Sequence, residues 1–419
     1  MSLQRKYLYI GLGLLWPLVS TATDWPQWRG PARDGVISQL ALPDQWPDQL
    51  KQVWTVQVGL GHASPLVAGD KVYVHARQEK TETETETEQE TVWCISLKDG
   101  QKIWHHSYAA PYTMNSSALG HGPGPKSTPL LHQGRLYSFG ISGILSCYEA
   151  ASGQQLWQHQ FTKEFPNTSP LFGTAASPVG AGDLVIAHMG GHDKGALIAF
   201  DAVSGHTRWR WDDDGPGYAS PIIVRLSGVS QVITQTQGFC VGLELESGRL
   251  LWQFPFGTDY YQNSVTPVAF EDLLIFSGLD RGVFALKVQK DGAKWTTQTL
   301  WENRDAALYM SSPVLHKDML WGFSHYKRGQ YFSLDARLGQ VRWLGAGRQG
   351  ENAAMLRSND VFFLLNDQGQ LQIARATDQG FVSLAQYQVS NTPTWAHPVV
   401  INNGILVKNL NSLVLWSVD

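Results

Sequence analysis

Charge is scarce in this chain. Lys and Arg number 32 and Asp and Glu 36, together 16% of 419 residues, and the formal net charge is −4. No basic field therefore marks a nucleic-acid partner. Cysteine is scarcer still: Cys94, Cys147 and Cys240 are the three, with no adjacent pair and no Cys-x-x-Cys. Also missing are Gly-x-Ser-x-Gly and a phosphate loop of the Walker type, which removes the commonest hydrolase and nucleotide signatures. The apolar run from Tyr7 to Val19 is too short to span a bilayer. What the chain has in abundance is glycine, 41 residues, and tryptophan, 17, a pairing that suits many tight turns with bulky wedges between sheets.

Residues 1–22 are organised as an export leader: Arg5-Lys6, the short apolar run, then Ser20 and Ala22 at the small-residue positions before a cut. Cleavage is expected, an uncleaved anchor being the other reading. No lipid-bearing Cys follows, since the first cysteine is Cys94. The mature chain is expected to be periplasmic or secreted, with no transmembrane segment.

From residue 23 onward one unit recurs. Residues 177–209 show it in full: Ser177-Pro178, a turn at Gly182-Asp183, the apolar run 184–187, a second turn at 190–193, a third strand over 196–200, the turn Asp201-Ala-Val-Ser-Gly205, and a strand closing on Trp209. Pro178 suits a strand start, where its missing N–H costs no ladder bond. Comparable starts fall at Ser64, Thr128, Ser177, Ser220, Thr266, Ser312 and His397, each followed by Pro, at the spacing of propeller blades, about 40–50 residues. Residues 352–390 supply a degenerate copy without Pro or Trp. That makes eight units, and one such meander alone cannot bury its apolar faces.

The ends of the chain complete each other. Val53-Trp54-Thr55-Val56 looks like a fourth strand with no first three, whereas 398–416 offers three strands with no fourth. The fold class expected is all-β, an eight-bladed β-propeller over 23–419 closed by the N-terminal strand joining the C-terminal blade, which removes exposed edges. The closing indoles Trp54, Trp104, Trp157, Trp209, Trp252, Trp301 and Trp343 are expected to wedge between sheets. Cys94 and Cys147 occupy a slot filled by Ala199, Gly242 and Ser333 in other copies, so small buried side chains and no disulfide are expected. Residues 24–38, DWPQWRGPARDGVIS, read as a strap across one face. The acidic stretch 81–90, TETETETEQE, reads as a solvated loop, cation binding being the other reading.

The Ser-Pro start, the Gly-Asp turn, the Ala-Phe-Asp-Ala-x-Ser-Gly-x-x-x-Trp ending and the opening Trp-Pro-Gln-Trp-Arg-Gly-Pro resemble the bacterial PQQ-like β-propeller repeat proteins. That family holds the quinoprotein alcohol dehydrogenases and the non-enzymatic outer-membrane assembly factor BamB, both eight-bladed. One architecture thus hosts catalysts and scaffolds. The dehydrogenase resemblance implies a quinone between a Trp platform and a disulfide of two adjacent cysteines, Ca²⁺ held by a Glu and an Asn, and an Asp base. This chain has no adjacent cysteines, and those carboxylates have no positions that map onto it without free choice.

Two sets of residues stand where loops would ring the channel. His62, Lys126, Tyr218, Asn263, Tyr309 and Trp395 lie just before first strands. His192 with Asp193, Asp280 with Arg281, His325, Lys327 with Arg328, Asn366 with Asp367, and Lys408 with Asn409 lie between second and third strands. The sets either share a face or flank the channel. Such a mouth suits a sugar, a peptide edge or an anion, and a solvated, salt-bridged rim is the bland alternative. His188 and His192 are four apart, but across a strand end and a turn, so no metal is expected.

The function expected is an exported, non-catalytic interaction or ligand-binding module of the cell envelope. It would be monomeric and need no cofactor, its partner an envelope protein, a small ligand or a glycan. The alternatives are a PQQ-dependent quinoprotein oxidoreductase using Ca²⁺ on alcohols or sugars, and a carbohydrate-binding propeller stacking sugars on Trp395, Tyr218 and Tyr309.

Overall fold

The computed structural model describes residues 24–78, 88–192 and 194–419. The expected leader, most of the acidic stretch and Asp193 fall outside the described residues. Among the described residues the strands form eight four-stranded antiparallel sheets, and the helical segments are short 3₁₀ turns. Seven blades are continuous in sequence: 66–109, 130–159, 179–211, 222–255, 268–303, 314–344 and 353–388. The eighth joins 399–417 to Lys51–Gln57, with Trp54 opposite Leu415 and Thr55 opposite Val414. The expected closure is present, and the degenerate copy forms a full blade.

The turn chemistry explains the repeat. In the blade 179–211, Asp201 Oδ1 accepts the N–H groups of Val203 and Ser204, pinning the turn between third and fourth strands. Asp335 does the same for Arg337 and Leu338 in its copy. The glycine ending each such turn has positive φ, as at Gly153 (75°) and Gly205 (72°), and lies against the indole of the preceding blade. A Cβ on Gly153 would come within 2.4 Å of Trp104, and one on Gly248 within 2.3 Å of Trp209. The indole N–H then donates to a carbonyl of that neighbouring blade, Trp54 to Leu97, Trp104 to Ala150, Trp209 to Leu245 and Trp301 to Ala336. These four indoles are therefore rivets between consecutive sheets, and Trp157 packs on Gly205 in the same way but without such a bond. Trp252 departs from the rule, because the next blade has extra residues at its turn, and its N–H goes instead to Gln231 of its own blade at 2.8 Å.

In most blades the closing Trp faces a small residue: Cys94 faces Trp104, Cys147 faces Trp157, Ala199 faces Trp209, Gly242 faces Trp252 and Ser333 faces Trp343. The third cysteine, Cys240, is buried in a different blade. Volume beside an indole, and not redox chemistry, thus accounts for the cysteine slot.

The strap penetrates further than expected. Trp25 pairs with Val67, Pro26 O accepts from Leu131, Trp28 Nε1 donates to Thr266, and Val36 bridges Arg357. Arg29 and Arg33, both almost fully buried, donate to carbonyls of Ser312 and Pro313 and of Ser177 and Pro178. These partners belong to the innermost strands or their starts in blades on every side, so the segment plugs the axial channel. Burial draws both guanidinium pKa values down, Arg29 to about 10 and Arg33 to about 9.

Glu90 is also placed differently from its sequence assignment. It belongs to the strand Gln89–Ser96, is fully buried, and so is not part of a solvated loop. Tyr108 donates to it at 2.7 Å, the Ile141 N–H at 3.0 Å, and His75 and Arg77 lie 3.2 and 3.8 Å away. Burial alone would raise this carboxyl, but the bonds from His75, Tyr108 and Ile141 prevail and hold it below its ordinary value.

Candidate functional site

The linkers that enter the first strands and the loops between second and third strands share one face. His192 Nε2 lies 3.1 Å from Tyr218 Oη, Tyr309 and His325 rings are 6.0 Å apart, and Lys408 reaches Gly59 and Gly61. At the centre of this face is an aromatic-walled cavity of about 930 Å³, its open mouth included. His62, Lys126, Tyr218, Tyr309 and Trp395 line it, five of the six residues singled out before first strands. They converge because successive blades present the same linker toward the axis.

The sixth, Asn263, is turned away from the cavity. It is fully buried and its amide donates to Thr236 O, Gln237 O and Phe256 O, tying a linker to an adjacent turn. Several residues of the second set do similar structural work around the rim. Asp280 pairs with His325 at 2.8 Å, Arg281 donates to Gly257 O and covers Phe256, Asn366 closes its own turn through Gln368 and Gln370, and Asp367 accepts from Glu351 and Asn352. Lys327 and Arg328 stand exposed in a short turn, both with φ near 60° (55° and 63°). Lys408 is buried, its ammonium 2.8–3.0 Å from the carbonyls of Gly59, Gly61, Asn409 and Leu410. This ties the C-terminal blade to the linker that follows the closing strand, and burial draws Lys408 down to about 7.

The cavity also takes residues that no repeat position announces. Trp28 of the plug is its floor, with its ring 4.4 Å from His397, and His121, Phe172, Gln262 and Asn352 complete the wall. Trp28 was legible only as part of the opening Trp-Pro-Gln-Trp motif, and His397 only as a blade start. Rings follow one another around the wall: Trp395 to His121 at 5.3 Å, His121 to Phe172 at 6.1 Å, Phe172 to Tyr218 at 5.9 Å. His62 Nε2 donates to His121 O at 2.9 Å, and burial beside Lys408 and Lys126 lowers its pKa to about 3, so the ring is neutral. Lys126 donates to Phe172 O, and burial lowers it to about 8.

This donor set does not suit the Ca²⁺ of the dehydrogenase resemblance. Hard cations favour carboxylate oxygens, whereas the charge on this wall is the Lys126 ammonium and its side-chain oxygens are the uncharged ones of Ser220, Ser264, Gln262, Asn352 and two tyrosines. Asn352 lines it, but among the described residues no Glu or Asp does. His188, the other half of the histidine pair, is buried with its Nε2 on Asp214 O. Among the described residues no cluster of three or more His, Cys, Asp or Glu is arranged to hold a metal. Nor is any helix there long and apolar enough to cross a membrane.

A ring of eight riveted four-stranded blades around a plugged axis defines a PQQ-like β-propeller. Residues 88–344 match the family described as outer membrane protein assembly factor BamB, and the chain belongs to that family. The factor BamB of Burkholderia pseudomallei is 24% identical over 360 residues, covering 76% of this chain and 87% of that protein. Among solved structures, BamB from Moraxella catarrhalis superposes with a TM-score of 0.59 at 15% identity, over 88% of this chain and 99% of that one. Quinohemoprotein alcohol dehydrogenase from Comamonas testosteroni gives 0.66 at 13% identity, over 94% and 80%. At such identities the structural likenesses establish the fold alone.

Proposed function

We propose that this chain is an exported, non-catalytic propeller of the cell envelope that holds a protein of the outer-membrane assembly machinery. Kinship with the BamB family supports the class of partner. The docking face is the one that carries the long linkers. A groove there runs between 111–115 and 166–171 and ends at His192 and Tyr261. The observation that carries the reading is the presentation of Tyr260 and Tyr261: consecutive residues at φ 56° and 57°, 68% and 40% exposed. Left-handed backbone is costly for bulky side chains, and large exposed rings are typical interface anchors. Leu119, 65% exposed, adds apolar surface on the same face.

The test is affinity purification from envelope extract with the full chain and with Tyr260→Ser/Tyr261→Ser. The native chain should retain a defined outer-membrane assembly protein, and the folded double variant should lose it. Equal retention by both, or recovery of no such protein, would overturn the reading.

A further inference from the structure

The axial cavity has a chemistry that partner docking on the rim does not use. Its aromatic walls are Trp28, Phe172, Tyr218, Tyr309 and Trp395, and one face carries the Lys126 ammonium. An ammonium has three N–H donors, and Phe172 O takes one of them. The groups around it are of the wrong kind to neutralise it. His62 and His121 are drawn toward the neutral form by burial and by the Lys126 charge itself, and Lys408 adds a second positive charge that His62 also feels. A buried charge without a counter-charge is costly, and a ligand anion that supplies one gains a strong charge-assisted bond in a low-dielectric site.

We propose that this cavity is a binding site for a small carboxylate with an aromatic or apolar body, its carboxylate on Lys126 and its body between Trp28 and Trp395. A cation is disfavoured by the same field. Inorganic anions would leave the rings unfilled, and ligand pockets with aromatic walls draw most of their affinity from those walls, with a few polar groups fixing orientation. Two buried atoms at the wall, Gln262 Oε1 and His397 Nδ1, have no protein hydrogen-bond partner and are further polar points for a ligand to meet. The site adjoins the Tyr261 end of the groove, where Tyr218 of its wall meets His192 and Gln262 follows Tyr261, but the two readings are tested with different variants and different ligands, so failure of one is distinguishable from failure of the other.

Saturation-transfer NMR and calorimetry on the full chain with phenylacetate, phenylacetamide, phenethylammonium and inorganic phosphate test it. Phenylacetate should bind saturably, the neutral amide about tenfold more weakly or worse, and the ammonium and phosphate not at all. Lys126→Met should weaken phenylacetate binding by a similar factor, Lys126→Arg should retain it, and Trp395→Ala should lose it while leaving the charge in place. No saturable phenylacetate binding, equal binding of acid and amide, or unchanged binding by folded Lys126→Met would each overturn the assignment.

Discussion

The backbone N–H of His397 donates to the hydroxyl of Ser64 at 2.9 Å, joining residues 333 positions apart. The same bond links Ser64 to Thr128, Thr128 to Ser177, Ser177 to Ser220, and Thr266 to Ser312. At Ser64, Thr128, Ser177, Ser220 and Ser312 the residue before Pro thus offers its hydroxyl to the N–H of the preceding blade, while the Thr266 hydroxyl accepts from Trp28 of the plug. This girdle around the channel is what the recurring Ser/Thr-Pro start encodes.

Removing one link should be felt across the closure. Ser64→Ala leaves the His397 N–H buried and unpaired, for which the expected loss is about 1–3 kcal/mol. Ser64→Thr should keep most of the native stability. Urea unfolding of the three proteins measures both values.

The rivets should act as pairs. Trp104→Ala opens a large cavity between blades and should cost about 3–5 kcal/mol. Gly153→Ala, at φ 75° with its new methyl directed into Trp104, should also destabilise strongly. Because both disturb one contact, the double variant should cost clearly less than the sum, which a double-mutant cycle in urea detects.

Glu90 should make the first two blades acid-sensitive. Its folded-state pKa lies below the ordinary 4.5, so the native state binds fewer protons than the unfolded chain as acid is added. The stabilisation is complete above about 4.5 and is lost as pH falls through the folded value. Glu90→Ala strands Arg77 and His75 in the interior and should cost about 3–5 kcal/mol at neutral pH. Melting temperature against pH, native beside Glu90→Gln, should show a shallower acid limb in the variant.

Carboxylate binding in the axial cavity should fail in base. Lys126 titrates near 8, whereas His62 and His121 are already neutral there and Lys408 titrates near 7, away from the lining. Phenylacetate affinity should therefore fall as pH rises past about 8 and be insensitive to pH below that until Lys408 protonates.

The repeat was legible because its signals are local: a Gly with positive φ, an Asp that caps a turn, a Trp and the small residue it faces. Closure was legible too, since Val53–Val56 lacked partners and 398–416 lacked a fourth strand. Convergence of His62, Lys126, Tyr218, Tyr309 and Trp395 followed from their equivalent positions in successive linkers. Trp28, His121 and Phe172 were not visible, because their place depends on how irregular segments thread the axis and the rim. Burial of Glu90 was hidden for a similar reason: its partners Arg77 and His75 sit across a strand pair, and the run of acids beside it masks them.

The most direct test of the account is photo-crosslinking in living cells from a benzophenone side chain placed at Tyr261, with Lys317 as the control. Lys317 lies in a turn between first and second strands, on the opposite face. An adduct with an outer-membrane assembly protein from position 261 and none from 317 is the predicted result. No adduct at 261, or equal adducts from both positions, would contradict the docking face and the function drawn from it.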